Sequence, residues 1–214
     1  EAKLAEYNKN ISRPIQHINT TFEALVKEIQ EVIDDRDYEM QEVLDDFLNY
    51  CYSDRLIPVS DGGKYLRVQL AGQTIDFNVK ENVYYDAIHR GFRAHDYLGL
   101  YQNKSVRAIG KIEAIITGVR NEQGELEYNV ERGTMTDAHK ATINKAIEEV
   151  RKKGDDLVSE RYFFVEQFYD TNFRKTTPRA PMGTRIFDLT QVLETDKIPD
   201  VATMAKQLAE KTWE

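Results

Sequence analysis

Residues 97–117 read YLGLYQNKSVRAIGKIEAIIT, and this stretch decides the fold class of the chain. Its first five residues are an apolar and aromatic run, residues 102–105 are polar turn formers, and an alternating pattern follows from Val106. Alternation predicts one face made of Val106, Ala108, Gly110, Ile112 and Ala114, opposite a face made of Arg107, Ile109, Lys111 and Glu113. The stretch therefore predicts a β-hairpin at the centre of a sheet.

The chain before this sheet is helical and acidic. Ser12-Arg13-Pro14 is typical of a helix start. Apolar residues then recur at spacings of three and four, first at Ile15, Ile18, Phe22, Leu25, Ile29 and Val32, and again at Met40, Val43, Leu44, Phe47, Leu48 and Cys51. The pattern predicts an antiparallel helical pair over residues 1–55. Such a seam either packs on its own domain or forms a homodimer, and the sequence leaves both open.

Residues 56–214 carry the signals of an α+β domain. Further strands are predicted at residues 56–59, 65–70, 74–79, 125–130, 161–169 and 186–189. One internal helix is predicted from Thr136 to Lys153, and a C-terminal helix from Ile198 includes Trp213 in its buried stripe. We expect a mainly antiparallel, barrel-like sheet with the N-terminal helical pair, the internal helix and the C-terminal helix around it.

Charge and cysteine content narrow the function classes. The net charge is −8, but residues 23–54 hold eleven acids and two cations, a balance of −9, so the rest of the chain is close to neutral. A local basic surface is therefore compatible with the acidic total. The single cysteine, Cys51, excludes an intramolecular disulfide and a cysteine zinc site, and suits the cytoplasm. Because the chain begins with Glu, we expect a fragment whose missing part could hold an enzymatic domain.

The strongest candidate site is a basic loop after the aromatic strand. Residues 173–185 contain Arg174, Lys175, Arg179 and Arg185 and no acid. Arg93, Lys104 and Arg107, near the central hairpin, extend this basic set. Guanidinium and ammonium groups bind phosphates, and aromatic rings stack on unpaired bases. The candidate stacking residues are Phe92, Tyr97, Tyr101, Tyr169 and Phe173, for which a place in the core is the alternative.

Metal and catalytic signals are weak. His89 and His95 lack a third ligand at a suitable spacing, so we predict no metal and no cofactor. A metal-dependent nuclease needs a second acid beside Asp76, where Asn78 stands instead. We predict no catalytic residue, and a divergent nuclease is only the third hypothesis.

The hairpin motif, the aromatic strand from Arg161 to Tyr169 and the closing run from Ile186 to Leu189 resemble the PUA-like barrels of the EVE and ASCH groups. The resemblance covers Phe92 to Leu189. It implies a small β-barrel that binds DNA or RNA, in some relatives by enclosing a flipped or modified base, and in bacteria as a reading module of restriction or other defence proteins. The leading hypothesis is thus a non-catalytic nucleic-acid-binding module. The second is a protein-interaction module that docks through the acidic helices.

Overall fold

The structure is a computed structural model that describes residues 8–9, 20–34, 37–53, 56, 63–90, 95–178 and 185–214. The chain divides into two compact units, Glu1–Pro58 and Val59–Glu214. The helix start predicted at Ser12 and the first predicted strand, residues 56–59, fall outside these ranges except for Leu56.

The first unit contains a helical hairpin made of α1, Phe22–Val32, and α2, Tyr38–Ser53. Thr21 caps α1, since its hydroxyl oxygen accepts a hydrogen bond from the Ala24 amide at 3.1 Å. The short connection makes the two helices antiparallel, and it brings the rings of Phe22 and Phe47 to 6.4 Å. The buried apolar residues of the hairpin are Val26, Leu44, Leu48 and Cys51.

The second unit is built on one sheet. Its strands are β1 Tyr65–Leu70, β2 Val83–Ala87, β3 Tyr97–Gln102, β4 Ser105–Arg120, β5 Leu126–Arg132, β6 Ser159–Lys175, β7 Arg185–Asp188 and β8 Thr212–Trp213. The strand order is β2-β6-β4-β3-β1-β7, while β5 pairs with β4 and β8 with β6. Only β1–β3 and β6–β8 are parallel. The predicted α+β class and the mainly antiparallel sheet are confirmed. The end strands β2 and β7 do not pair with each other, so barrel-like closure stays a prediction.

The central hairpin, β3 with β4, is confirmed. Asn103 and Lys104 have φ of 51° and 62°, the left-handed conformation that a tight two-residue hairpin turn requires. The predicted faces of β4 hold for Ala108, Ile112 and Ile109 but not for Val106, because bulges shift the register of β4 against β6 at three places. Val106 and Ile109 consequently enter one core cluster, whereas Ala108 and Ile112 enter another.

The helices of this unit are α3 Ile75–Glu81, α4 Asp137–Arg151, α5 Leu189–Val192 and α6 Val201–Ala209. The internal helix is confirmed, with Thr136 as its N-cap. The strand predicted over residues 74–79 is wrong, because this segment is α3, which buries Ile75 and Asn78 at helical spacing. Trp213 is also not helical. It lies in β8, beside the end of β6.

Three apolar clusters occupy the two faces of the sheet. Near the turn of the central hairpin, α6 and Trp213 pack with Leu66, Phe173 and Leu189. The opposite face holds Leu98, Leu100, Phe163 and the start of α3. Farther along β4 and β6, α4 packs with Ile116, Tyr162 and Phe164. Each of the three clusters therefore contains residues of both β4 and β6.

Candidate nucleic-acid interface

Cations from two strands meet where the central hairpin turns. Ser105 at the start of β4 pairs with Arg174 near the end of β6. The backbone amide of Lys175 donates to the carbonyl of Lys104 at 2.9 Å. We call this region the basic end, comprising Lys104 and Arg107 from the hairpin with Arg174 and Lys175 from β6.

The side chain of Arg107 is held in place by Asn172 of β6, which in turn is bonded to Ser105. Its guanidinium donates to Oδ1 of Asn172 at 3.1 Å. The same oxygen accepts the buried hydroxyl of Ser105 at 2.9 Å. Arg107 stands at a bulge between Val106 and Ala108, and its side chain is exposed. Because one hydrogen bond uses only one of five guanidinium donors, the group remains able to bind an anion.

The basic end differs from the rest of this unit in its ion pairing. Elsewhere cations face carboxylates at close range, as in Arg161–Glu131 at 2.7 Å, Lys145–Glu81 at 2.7 Å and Lys64–Asp188 at 2.9 Å. Within the described part of the chain, no carboxylate pairs with Lys104, Arg107 or Arg174. Two exposed acids lie nearby, Asp170 opposite Ala108 and Glu214 directly after Trp213, which pairs with Lys175. The basic end therefore carries a net positive charge.

Two of the residues predicted to bind phosphate, Lys175 and Arg185, are not exposed as these cations are. Lys175 is buried, with 7% of its surface exposed, and its ammonium lies 5.5 Å above the Trp213 ring. Arg185 is half-buried on β7, three strands from β4, a separation of about 14 Å. Its Nε is buried and has no hydrogen-bond partner among the described residues. Arg93 and Arg179 lie outside the described residues.

The candidate stacking residues are mostly part of the core. Tyr97, Tyr101 and Phe173 are each at most 6% exposed. Tyr101 packs 6.0 Å from Trp213, and Phe173 packs 5.3 Å from Phe187. Burial raises the pKa of the Tyr97 and Tyr101 hydroxyls. Tyr169 is half-buried against the same cluster, and Phe92 lies outside the described residues. The three buried rings have no free face on which a base could stack.

Sequence reasoning missed Ser105 and Asn172, which position Arg107. Asn172 is separated from Arg107 by 65 positions, so only the β4–β6 pairing brings them together. The sequence offers no signal for this contact, since neither residue belongs to a motif.

The weaker chemical candidates lie away from the basic end. His95 is 3% exposed and packs 5.5 Å from Phe163. Asn78, which replaces the acid that a nuclease motif needs, is buried and donates to the Val83 carbonyl at 2.9 Å. Three or more metal-ligating side chains do not cluster anywhere in the described ranges. Partial burial, with Asp86 close by, raises the pKa of Glu160 to about 7 at the start of β6.

Comparisons of the chain with protein-family models, with curated proteins and with solved structures found no match. The resemblance to PUA-like barrels therefore stays a prediction. Among the described residues, no helix combines the length and the apolar character needed to cross a membrane.

Proposed function

We propose that this protein binds DNA or RNA through the phosphate backbone, and that the basic end is the contact surface. The observation that carries the proposal is the concentration of exposed cations without carboxylate partners at this end, on a unit whose other ion pairs are mostly satisfied. Unpaired cations attract a polyanion more strongly than paired ones, because no internal contact must be broken first.

The rigidity of this surface also supports the proposal. Lys104 lies in a tight turn, and its backbone carbonyl accepts a hydrogen bond from β6. The guanidinium of Arg107 donates a hydrogen bond to Asn172. Groups that are already fixed lose little conformational freedom when they bind. Such an arrangement suits repeated phosphates, which position a nucleic acid without reading its sequence.

The reading of a flipped or modified base, and a place in a bacterial defence or restriction protein, remain finer proposals that rest on the resemblance alone. For the described residues the support is limited to backbone contact, since Tyr97, Tyr101 and Phe173 are core residues. We therefore expect weak preference among sequences.

The test is fluorescence-anisotropy binding of short single- and double-stranded DNA and RNA to the chain across a salt series. The test variant combines Lys104→Glu, Arg107→Glu and Arg174→Glu. If duplex DNA is bound, losing three phosphate contacts lowers the slope of log affinity against log salt by about 3. We expect binding to fall by at least about tenfold at low salt.

A charge-matched control combines Lys80→Glu, Lys140→Glu and Lys152→Glu, all at exposed positions outside the basic end. It changes the net charge equally and should weaken binding much less. Equal losses in both variants would mean that only net charge matters. An absence of binding to any of the four probes at low salt would refute the proposed function.

A further inference from the structure

The helical hairpin exposes large apolar side chains beside the contact between its two helices. We call this set the apolar face, and it consists of Leu25 and Val32 on α1 with Val43 and Tyr50 on α2. Each of these four residues is between 41% and 83% exposed.

Both helices present these residues on the same side of the hairpin. Each residue advances about 100° around a helix, so Leu25 and Val32 lie roughly a quarter turn from the residues that face α2. On α2, Val43 and Tyr50 are also about a quarter turn around the helix axis from the residues that face α1, in the same direction of rotation. Because the helices are antiparallel, equal rotations bring both stripes to one side. Leu25 and Val32 lie seven residues apart, as do Val43 and Tyr50, so each pair lies along one side of its helix.

Acidic side chains border this face. Glu28 lies three residues after Leu25 and four before Val32, and Asp46 has the same relation to Val43 and Tyr50. Residues at these spacings are neighbours on a helix surface. Glu28 and Asp46 are exposed and have no cationic partner among the described residues.

From this pattern we propose that the apolar face is a docking site for a basic amphipathic helix of a partner protein. The groove between two antiparallel helices accepts the apolar stripe of a third helix. Lysine and arginine beside that stripe would face Glu28 and Asp46. A second copy of this chain fits less well, since residues 23–54 carry a charge of −9 and two copies would bring like charges together.

The proposal is independent of the proposed function, because it concerns the other unit and a protein partner. It is tested with the full chain and a labelled synthetic peptide of about 18 residues, with leucine at the heptad seam positions and lysine beside them. Two comparison peptides are a scrambled sequence of the same composition and a version with glutamate in place of lysine. We expect the lysine peptide to bind at least about tenfold more tightly than either.

The test variant combines Leu25→Asn with Val43→Asn, and the matched control combines Val119→Asn with Val130→Asn, which are exposed in the second unit. All four substitutions are at exposed positions, so both variants should fold, which circular dichroism checks. Binding should weaken about tenfold in the first variant and stay unchanged in the second.

Three results would overturn the proposal. The scrambled lysine peptide could bind equally well, which would reduce the effect to charge alone. The lysine peptide could fail to bind the chain, as expected if residues 1–19 cover the face. Sedimentation equilibrium could show a dimer that Leu25→Asn with Val43→Asn dissociates, which would assign the face to a second copy.

Discussion

The two units of this chain handle their apolar residues in opposite ways. The sheet of the second unit is covered on both faces, and large side chains such as Phe173 and Tyr162 are completely enclosed. Among the described residues of the first unit, the helical hairpin buries four apolar residues and leaves Val43 and Val32 more than half exposed. Two helices that pack only on each other bury about one stripe each.

Because of this difference, we expect the two units to bind different kinds of partner. In the second unit most large apolar residues lie in the core, and the exposed ones, such as Leu70 and Val158, are scattered, so the surface feature that stands out is the charge of the basic end. In the hairpin the apolar side chains themselves are available and the surrounding charge is negative. The following predictions test this contrast, in order of expected effect.

The largest effect is expected in the core of the second unit. Phe173→Ala removes a ring that is 1% exposed and lies between Phe187 and Trp213. The free energy of unfolding should fall by about 3–5 kcal/mol, because a large cavity is left. Urea unfolding followed by Trp213 fluorescence measures this loss, since Trp213 is the only tryptophan.

The matched change in the hairpin is Val43→Ala. This side chain is 62% exposed, so its removal should change the free energy of unfolding by less than about 0.5 kcal/mol. A loss as large as that of Phe173→Ala would mean that the apolar face is covered in the isolated chain, and the contrast between the units would not hold.

A second prediction concerns how tightly the sheet of the second unit is packed. A methyl group at Gly110 would lie 2.9 Å from Cβ of Val165 and 3.0 Å from the backbone oxygen of Gln167. Gly110→Ala should therefore lower the free energy of unfolding by about 2–3 kcal/mol. Gly118→Ala on the same strand meets the Tyr162 ring at 3.3 Å and the Tyr128 ring at 3.6 Å, and should cost about 1 kcal/mol. Thermal unfolding of both variants gives the comparison, and equal costs would contradict it.

The same packing explains what the sequence could and could not predict. The central hairpin was predictable because alternation and a polar two-residue turn both act locally. The face assignment of β4 failed at Val106 because the bulge next to it arises from pairing with β6, far away in sequence. The segment from Ile75 to Val79 alternates as a strand would, yet Ile75 and Val79 also lie four apart, so a short run fits either period.

The candidate site was predictable only in part, for a similar reason. Arg174, Lys104 and Arg107 were identifiable because cations without acids nearby are visible in the sequence. Lys175 lies beside Arg174 and has the same charge, but it points to the face of the sheet that holds Phe173 and Trp213. Which of two neighbouring cations is exposed depends on strand alternation and on β8, which is not apparent from composition.

A third prediction uses Glu160, whose pKa in the folded protein is raised to about 7 from 4.5. Below pH 4.5 the carboxyl is protonated in both states, so burial carries no charge penalty. Between pH 4.5 and 7 the unfolded chain loses this proton while the folded chain keeps it, so the folded state loses stability as the pH rises. Glu160→Gln should thus stabilise the protein at pH 8 and have little effect at pH 4.

The expected gain is about 1 kcal/mol, since solvent reaches part of this half-buried carboxyl and screens it. Denaturant unfolding of both proteins at several pH values measures it. A stability difference between Glu160→Gln and the native protein that stays constant across pH 4 to 8 would show that folding does not shift the pKa of this carboxyl.

The smallest effect tests how the basic end is organised, and it rests on the proposed function. Asn172→Ala removes the oxygen that accepts hydrogen bonds from both Arg107 and Ser105. The guanidinium becomes freer and must be ordered on binding, so affinity for nucleic acid should fall about threefold, or about 0.6 kcal/mol. Asn129→Ala, at an exposed position on β5, is the control and should have no effect.

A double-mutant cycle distinguishes positioning from direct contact. If Asn172 acts only through Arg107, Asn172→Ala should have no further effect on affinity in an Arg107→Ala background. A threefold loss that persists in that background would mean that Asn172 contacts the nucleic acid itself. The basic end would then extend beyond its cations along β6, and the surface would be more polar, and less purely electrostatic, than its charges suggest.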